Sequence, residues 1–372
     1  MKIPIPLIHR YILYTKLLLF LGLFASCTKD PVREVTVNPP DTTTVPVSYK
    51  NGIFIINEGN YNWGNASVSV ILSDKNLVIQ DIFRKANSRS LGDVAESMKI
   101  KNNLGYLIVN NSNRIEVVTV DNFKSLTTIP GLNSPRFMEF VDSTKAYITN
   151  LQKNITVIDL RSNTISKVIK TSTWTENLLK YDRYMLVTSI GKFSDPTSDR
   201  VPVVYVIDTQ TDQITDSILT GKEPIGMVID KKQKVWVLCS GGYDNFEQPS
   251  LLRINPELRI IEKKFTFTGI GKVPSKLCIN PTGDTLYYLN GGVYMMAVSA
   301  SALPLQSLIP SEGRLLYGLA IHPMTGHIFV SDAKDYVQNG TAYQYNHTGK
   351  LLKEFQTGRI PGSFCFSESK SK

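Results

Sequence analysis

The 372-residue sequence has only four cysteines and four histidines. Its most apolar N-terminal run, Leu17 to Ser26, is ten residues long, about half of what a membrane-spanning helix needs. Three of the cysteines, Cys239, Cys278 and Cys365, sit inside apolar runs. Their odd number gives no disulfide framework, and no spacing fits a metal site. They are expected to be buried free thiols. His9 lies near the N-terminus, and His322, His327 and His347 lie in strand and turn contexts. These are too scattered for a triad or a metal centre, and no serine has a nucleophile-elbow context. Phosphate-loop patterns are absent as well. The net charge of +9 is spread out, and the longest basic run, "DKKQK" at 230–234, reads as a solvated turn. Without basic patches interleaved with aromatics, nucleic-acid binding is not expected. Neither an enzymatic activity nor a cofactor is predicted.

The N-terminus is informative. Lys2, Arg10 and Lys16 are basic, and no acidic residue precedes Asp30. A basic start, a short apolar centre and the small residues Ala25 and Ser26 describe a secretory signal over 1–26. "FASC" resembles the lipobox of bacterial lipoproteins, which makes Cys27 the expected lipidated residue. Several acyl chains there would anchor the protein stably, whereas one alone binds marginally. Residues 28–50 hold four prolines and three consecutive threonines, so 27–50 reads as the lipidated cysteine and an extended tether.

From 51 to 367 one pattern recurs, and 368–372 is a polar tail. Short segments rich in Val, Ile, Tyr and Phe alternate with Asn, Gly, Asp and Pro turns. "GIFIINEGN", "LGYLIVNNSN", "KAYITNLQKN", "YMLVTSIGK", "KVWVLCSGG", "TLYYLNGG" and "HIFVSDAKD" are seven versions of one strand and turn. Each sits in a four-strand unit, repeating about every 46 residues, the period of a propeller blade. Long insertions fall at 191–202 and 241–250. The chain enters on the second strand of a unit and ends on "PGSFCFS", which matches a first strand. The prediction is an all-β, seven-bladed β-propeller closed by pairing of its N- and C-terminal strands. Such closure removes the sheet edges that an open array exposes.

Loops joining second to third strands, and loops between blades, should share one face. They are long there and rich in Asn, Gly and aromatics, as display on a rigid scaffold requires. The candidate ligand-binding residues are Asn60, Tyr61, Trp63, Asn111, Phe193, Tyr243, Asn245, Phe246 and Tyr336. Flat aromatics bury large area at low entropy cost, and amides add neutral donors and acceptors. Between blades the same face should carry Arg136, Glu176 and Tyr317. The carboxylates Glu58, Asp93, Glu96, Asp332 and Asp335 are the acid-base candidates that could converge at the axis.

"GIFIINEGNYNWGNASVSVI", "LGDVAESMKI" and "IEVVTVDN" resemble the YncE-like propeller lipoproteins of Bacteroidetes that carry the DUF5074 domain. The resemblance covers nearly all of 52–366. It implies an outer-membrane lipoprotein, expected on the cell surface. Related BtuG members capture cobalamin and pass it to an outer-membrane importer, so the resemblance implies a corrinoid-like ligand and a TonB-dependent transporter as partner. Two other readings compete: a protein- or glycan-binding scaffold, and a lactonase- or quinoprotein-type enzyme.

Overall fold

A computed structural model describes residues 48–190, 202–242, 247–268 and 273–367. Seven four-stranded antiparallel sheets form the blades. The inner strand of blade one is Pro361–Phe366. Those of blades two to seven are Ala95–Lys101, Pro135–Phe140, Trp174–Tyr181, Pro224–Ile229, Ser275–Ile279 and Leu316–Ile321. Each inner strand contacts the next, and the last contacts the first, so the ring closes. The closure is the predicted one. Ile53–Asn57 pairs with Pro361–Phe366, from Ile53 opposite Phe366 to Asn57 opposite Pro361.

Strand sequence follows depth. Second strands such as Ile53–Asn57, Val235–Cys239 and Ile328–Asp332 are buried throughout, because both sheet faces meet a neighbouring blade. Outer strands such as Thr164–Lys170 bury little and carry Thr, Ser and Lys. The core lies between sheets. Tyr147 and Ile155 of blade three pack with Val187 and Tyr205 of blade four. Trp236 is fully buried, and its Nε1 donates to Asp230 Oδ2 at 2.9 Å. An indole donor inside a core needs such a partner.

Two local features depart from the repeat. The link from blade one to blade two holds a short helix, Ile82–Asn87, which buries Ile82 and Phe83. Six residues are too few to show a helical period. In blade six the outer strand shrinks to Ile309–Pro310. Pro304 and Pro310 remove donors that a longer ladder would need. Cys239 and Cys365 are buried free thiols, and Cys278 is half-buried. Cys27, residues 191–201 of the first long insertion and residues 243–246 of the second lie outside the described residues.

The two loop sets do share a face. Leu132 N donates to Asn113 O at 3.1 Å, Ser240 N to Glu223 O at 2.9 Å, and Ala333 N to Leu315 O at 3.0 Å. Each bond joins an inter-blade loop to a second-to-third-strand loop.

Candidate functional site

Every inner strand carries a register shift near its start, at the loop face. One extra residue there re-aims a side chain, as bulges do. The extra backbone N–H must still find an acceptor. In three blades a hydroxyl on the second strand takes it. Thr149 Oγ1 accepts from Phe137 N at 3.1 Å, Thr188 Oγ1 from Asn177 N at 2.8 Å, and Ser331 Oγ from Gly318 N at 2.8 Å. Two of these hydroxyls also donate to the next blade's inner strand: Thr149 to Glu176 O at 2.6 Å and Ser331 to Pro361 O at 2.5 Å.

The shifted segments bring charged groups together at the axis. They hold Glu96 in blade two, Arg136 in three, Glu176 in four, Ile225 in five, Lys276 in six, Tyr317 in seven and Gly362 in one. Arg136 is the centre. Its Nε and Nη2 donate to both oxygens of Glu176, at 2.8 and 2.7 Å, and its Nη1 donates to Glu96. Glu96 and Glu176 are buried. A fork-shaped guanidinium between two carboxylates is the geometry in which arginine binds most strongly. Burial alone would lower the Arg136 pKa, but Glu176 and Glu96 outweigh it and raise it. Glu96 is pushed up by burial, against the pull of Arg136.

Glu58 enters from the loop of blade one. It lies in the "NEGN" motif, whose parts now have separate tasks. Gly59 takes φ +73°, and a Cβ there would sit 2.5 Å from Asn65 Oδ1, so only glycine fits. Asn60 N donates to Asn65 Oδ1 at 2.7 Å, and Asn65 Nδ2 donates back to Asn60 Oδ1 at 3.2 Å. Glu58 is thereby turned over the closing strand. A Cβ at Gly362 would lie 2.0 Å from Glu58 Oε1. The Glu58 carboxylate fills the place that Gly362 leaves empty. Tyr317 OH donates to Glu58 Oε2 at 3.0 Å. Burial, and then the Glu96 charge, push Glu58 up to about 7. Burial and Glu58 also raise Tyr317. Lys276 stands 5.5 Å over the Tyr317 ring, whose edge meets Tyr336 at 5.7 Å.

The predicted loop residues divide. Tyr61 and Trp63 are 68 and 77% exposed, and Tyr336 is 40% exposed. Asn60 Nδ2 donates to Tyr336 O at 2.6 Å, joining blade one to blade seven. Asn111 Nδ2 donates to Asp93 Oδ2 at 2.6 Å and to Asn62 Oδ1 at 3.1 Å. Those amides hold loops together. Phe193, Tyr243, Asn245 and Phe246 lie outside the described residues. Of the acid-base candidates, Glu58 and Glu96 reach the axial cluster. Asp93 ties loops, as its bond to Asn62 N at 2.8 Å shows. Asp332 and Asp335 instead organise turns, accepting from Lys334 N and Gln338 N, both at 2.8 Å. Lys276 was not foreseen. Its signal was present: it stands two residues after Pro274, at the start of the inner-strand repeat. Among the described residues no group of three His, Cys, Asp or Glu side chains is placed to hold a metal ion.

Solved structures share the fold at low sequence identity. A quinoprotein alcohol dehydrogenase-like protein from Bacteroides thetaiotaomicron is 16% identical, with TM-score 0.66 over 86% of this chain and 79% of that one. The periplasmic gluconolactonase PpgL of Pseudomonas aeruginosa is 12% identical, with TM-score 0.62 over 84% and 99%. The dihydro-heme d1 dehydrogenase NirN is 13% identical, with TM-score 0.55 over 91% and 79%. At these identities the likeness is one of fold. No curated protein sequence is significantly similar to the chain. Residues 51–360 match the DUF5074 domain of unknown function, and the chain belongs to that family.

Proposed function

We propose that this protein is a non-catalytic, envelope-anchored binding propeller that captures a small nutrient on its long-loop face. Cobalamin or a related corrinoid is the specific candidate, and an outer-membrane transporter is the recipient. The observation that carries the reading is the exposure of Tyr61 and Trp63 on the face that holds the polar axial floor. Flat aromatics suit a macrocycle. Hydrogen-bonding groups at the floor, Glu58 and Tyr317 among them, suit neutral carboxamides. In this reading Cys27 supplies the anchor, and Cys27→Ser releases the protein from membranes or leaves its signal uncleaved.

Calorimetry with cobalamin tests the ligand. Saturable heat is expected, and it should disappear in Trp63→Ala with Tyr336→Ala. No heat and no competition at micromolar concentrations would remove the corrinoid. Binding that survives both substitutions would mean that the ligand sits elsewhere.

One observation favours a second reading. A carboxyl held near neutrality beside a tyrosine is what general acid-base chemistry uses. A lactone-hydrolysis assay separates the two: turnover abolished by Glu58→Gln would make the axis an active site.

A further inference from the structure

A cavity lies on the other side of the axial cluster. The inner strands of blades one to four enclose about 390 Å³, lined by residues 97–100, 137–139, 177–178 and 363–367. Small-molecule sites occupy about 300–1,000 Å³. The lining begins one residue beyond Glu96, Arg136 and Glu176, so the cross-bonded layer of Arg136 forms its roof. The walls mix apolar side chains, Met98, Phe137, Leu178, Phe364 and Phe366 among them, with polar ones such as Lys99, Glu139 and Asn177. Ser97 and Ser363 are spent on the neighbouring backbone, donating to Arg136 O at 2.7 Å and Glu96 O at 3.1 Å.

The short-turn end of the same strands carries an unusual arrangement of charge. Lys180 Nζ donates to Val141 O at 2.6 Å, and Lys101 Nζ donates to the next carbonyl, that of Asp142. Two ammonium groups therefore sit on adjacent backbone carbonyls, not on carboxylates. The Asp142 carboxylate is already engaged by Thr144 N at 2.7 Å and Lys145 N at 2.9 Å. Burial holds Lys101 below the usual lysine value; the Asp142 and Glu139 charges pull it up, and Lys180 pushes it down. The two lysines stand just past the lining residues Ile100 and Leu178, and their mutual repulsion is what an added anion relieves, in competition with the Asp142 and Glu139 carboxylates. Lys99 is different, because Glu139 Oε2 neutralises it at 2.6 Å.

We infer that this cavity is a second ligand site, which takes a flat aromatic body carrying one carboxylate or sulfonate head. The rings lie against Phe137, Phe364 and Phe366, and the head meets Lys101 and Lys180. The site is independent of the loop-face reading, because the Arg136 layer separates the two.

Fluorescence titration of the full chain with 8-anilino-1-naphthalenesulfonate tests it, with the uncharged N-phenyl-1-naphthylamine alongside. One saturable site per chain is expected for each probe. Lys101→Glu with Lys180→Glu should weaken the sulfonate at least about tenfold, since charge-assisted contacts are lost and repulsion replaces them. The uncharged probe should be unchanged. Ile100→Trp, which fills the cavity, should abolish both, and Trp63→Ala should affect neither. The inference is overturned by the lack of a saturable site, by titrations that no cavity or lysine variant alters, or by equal loss of both probes on charge reversal. Should Ile100→Trp fail to fold, the lysine pair, at the surface end of the strands, still decides.

Discussion

Arg136 does at residue scale what the ring needs at its centre. Three buried or half-buried carboxylates would repel without it, since Glu58, Glu96 and Glu176 converge where solvent is scarce. A buried ion pair contributes little over an apolar substitute, but removing one partner strands the other. Arg136→Met leaves Glu96 and Glu176 uncompensated and should cost about 3–5 kcal/mol in urea unfolding. Arg136→Lys should recover only part, because lysine cannot hold Glu176 through two parallel bonds. Glu58 behaves in the opposite sense. Its carboxyl titrates near 4.5 when exposed and is pushed up to about 7 in the folded protein. The folded state therefore binds the proton more tightly. The stability from this group is fully present below pH 4.5 and is lost as pH rises through 7. Glu58→Gln should flatten the fall in melting temperature between pH 5 and 8 that the wild type shows. The difference at pH 8 should be on the order of 2 kcal/mol, allowing for solvent at this half-buried group.

The element that organises the site is the bulge at the start of each inner strand. Its hydroxyl partner explains why Thr149, Thr188 and Ser331, polar residues in otherwise apolar second strands, are buried. Thr149→Val keeps the shape and removes the acceptor for Phe137 N and the donor to Glu176 O. It should cost about 1–3 kcal/mol, which equilibrium unfolding reads directly. This level was only half legible in the sequence. The strands were, because alternating Val, Ile and Tyr between Asn-Gly turns follows from local propensity. The bulges were not, since one added residue leaves the hydrophobic pattern almost unchanged. So Glu96, Arg136 and Glu176 were readable as residues of one face, but their meeting around a single guanidinium was not. The same limit applies to Asn60 and Asn111. A turn asparagine and a ligand-facing asparagine look alike until the acceptors on neighbouring loops are in place.

Closure acts on the whole molecule, and it was the most legible feature, because the half-unit offset between the two ends appears in the repeat itself. The closing strand does more than complete a sheet. Glu58 N donates to Ile360 O at 2.8 Å, Ser363 Oγ reaches Glu96 O, and Glu58 overlies Gly362. Blades one, two and seven are thus tied through Pro361–Phe366. Deleting 361–372 should open the ring, remove the inner strand of blade one and abolish the cooperative unfolding transition. Deletion alone does not separate the loss of a strand from the loss of its connectivity, and a circular permutant does. Ile53 lies opposite Phe366, and Ser367 N donates to Gly52 O at 3.2 Å, so the two ends already run side by side. A short turn joining 367 to 52 makes the closing pair a local hairpin. New ends can be cut at Leu305, which is 96% exposed and precedes the shortest outer strand, Ile309–Pro310. The permutant keeps every strand pair and opens one exposed loop, at the loss of Tyr49, whose N–H donates to Asp121 O at 2.8 Å. Its circular-dichroism melt should remain cooperative, at or above the wild-type temperature, because a long-range pairing has become local. A permutant that melts like the truncated chain would show that the ring depends on the order of its blades and not on the closing pair.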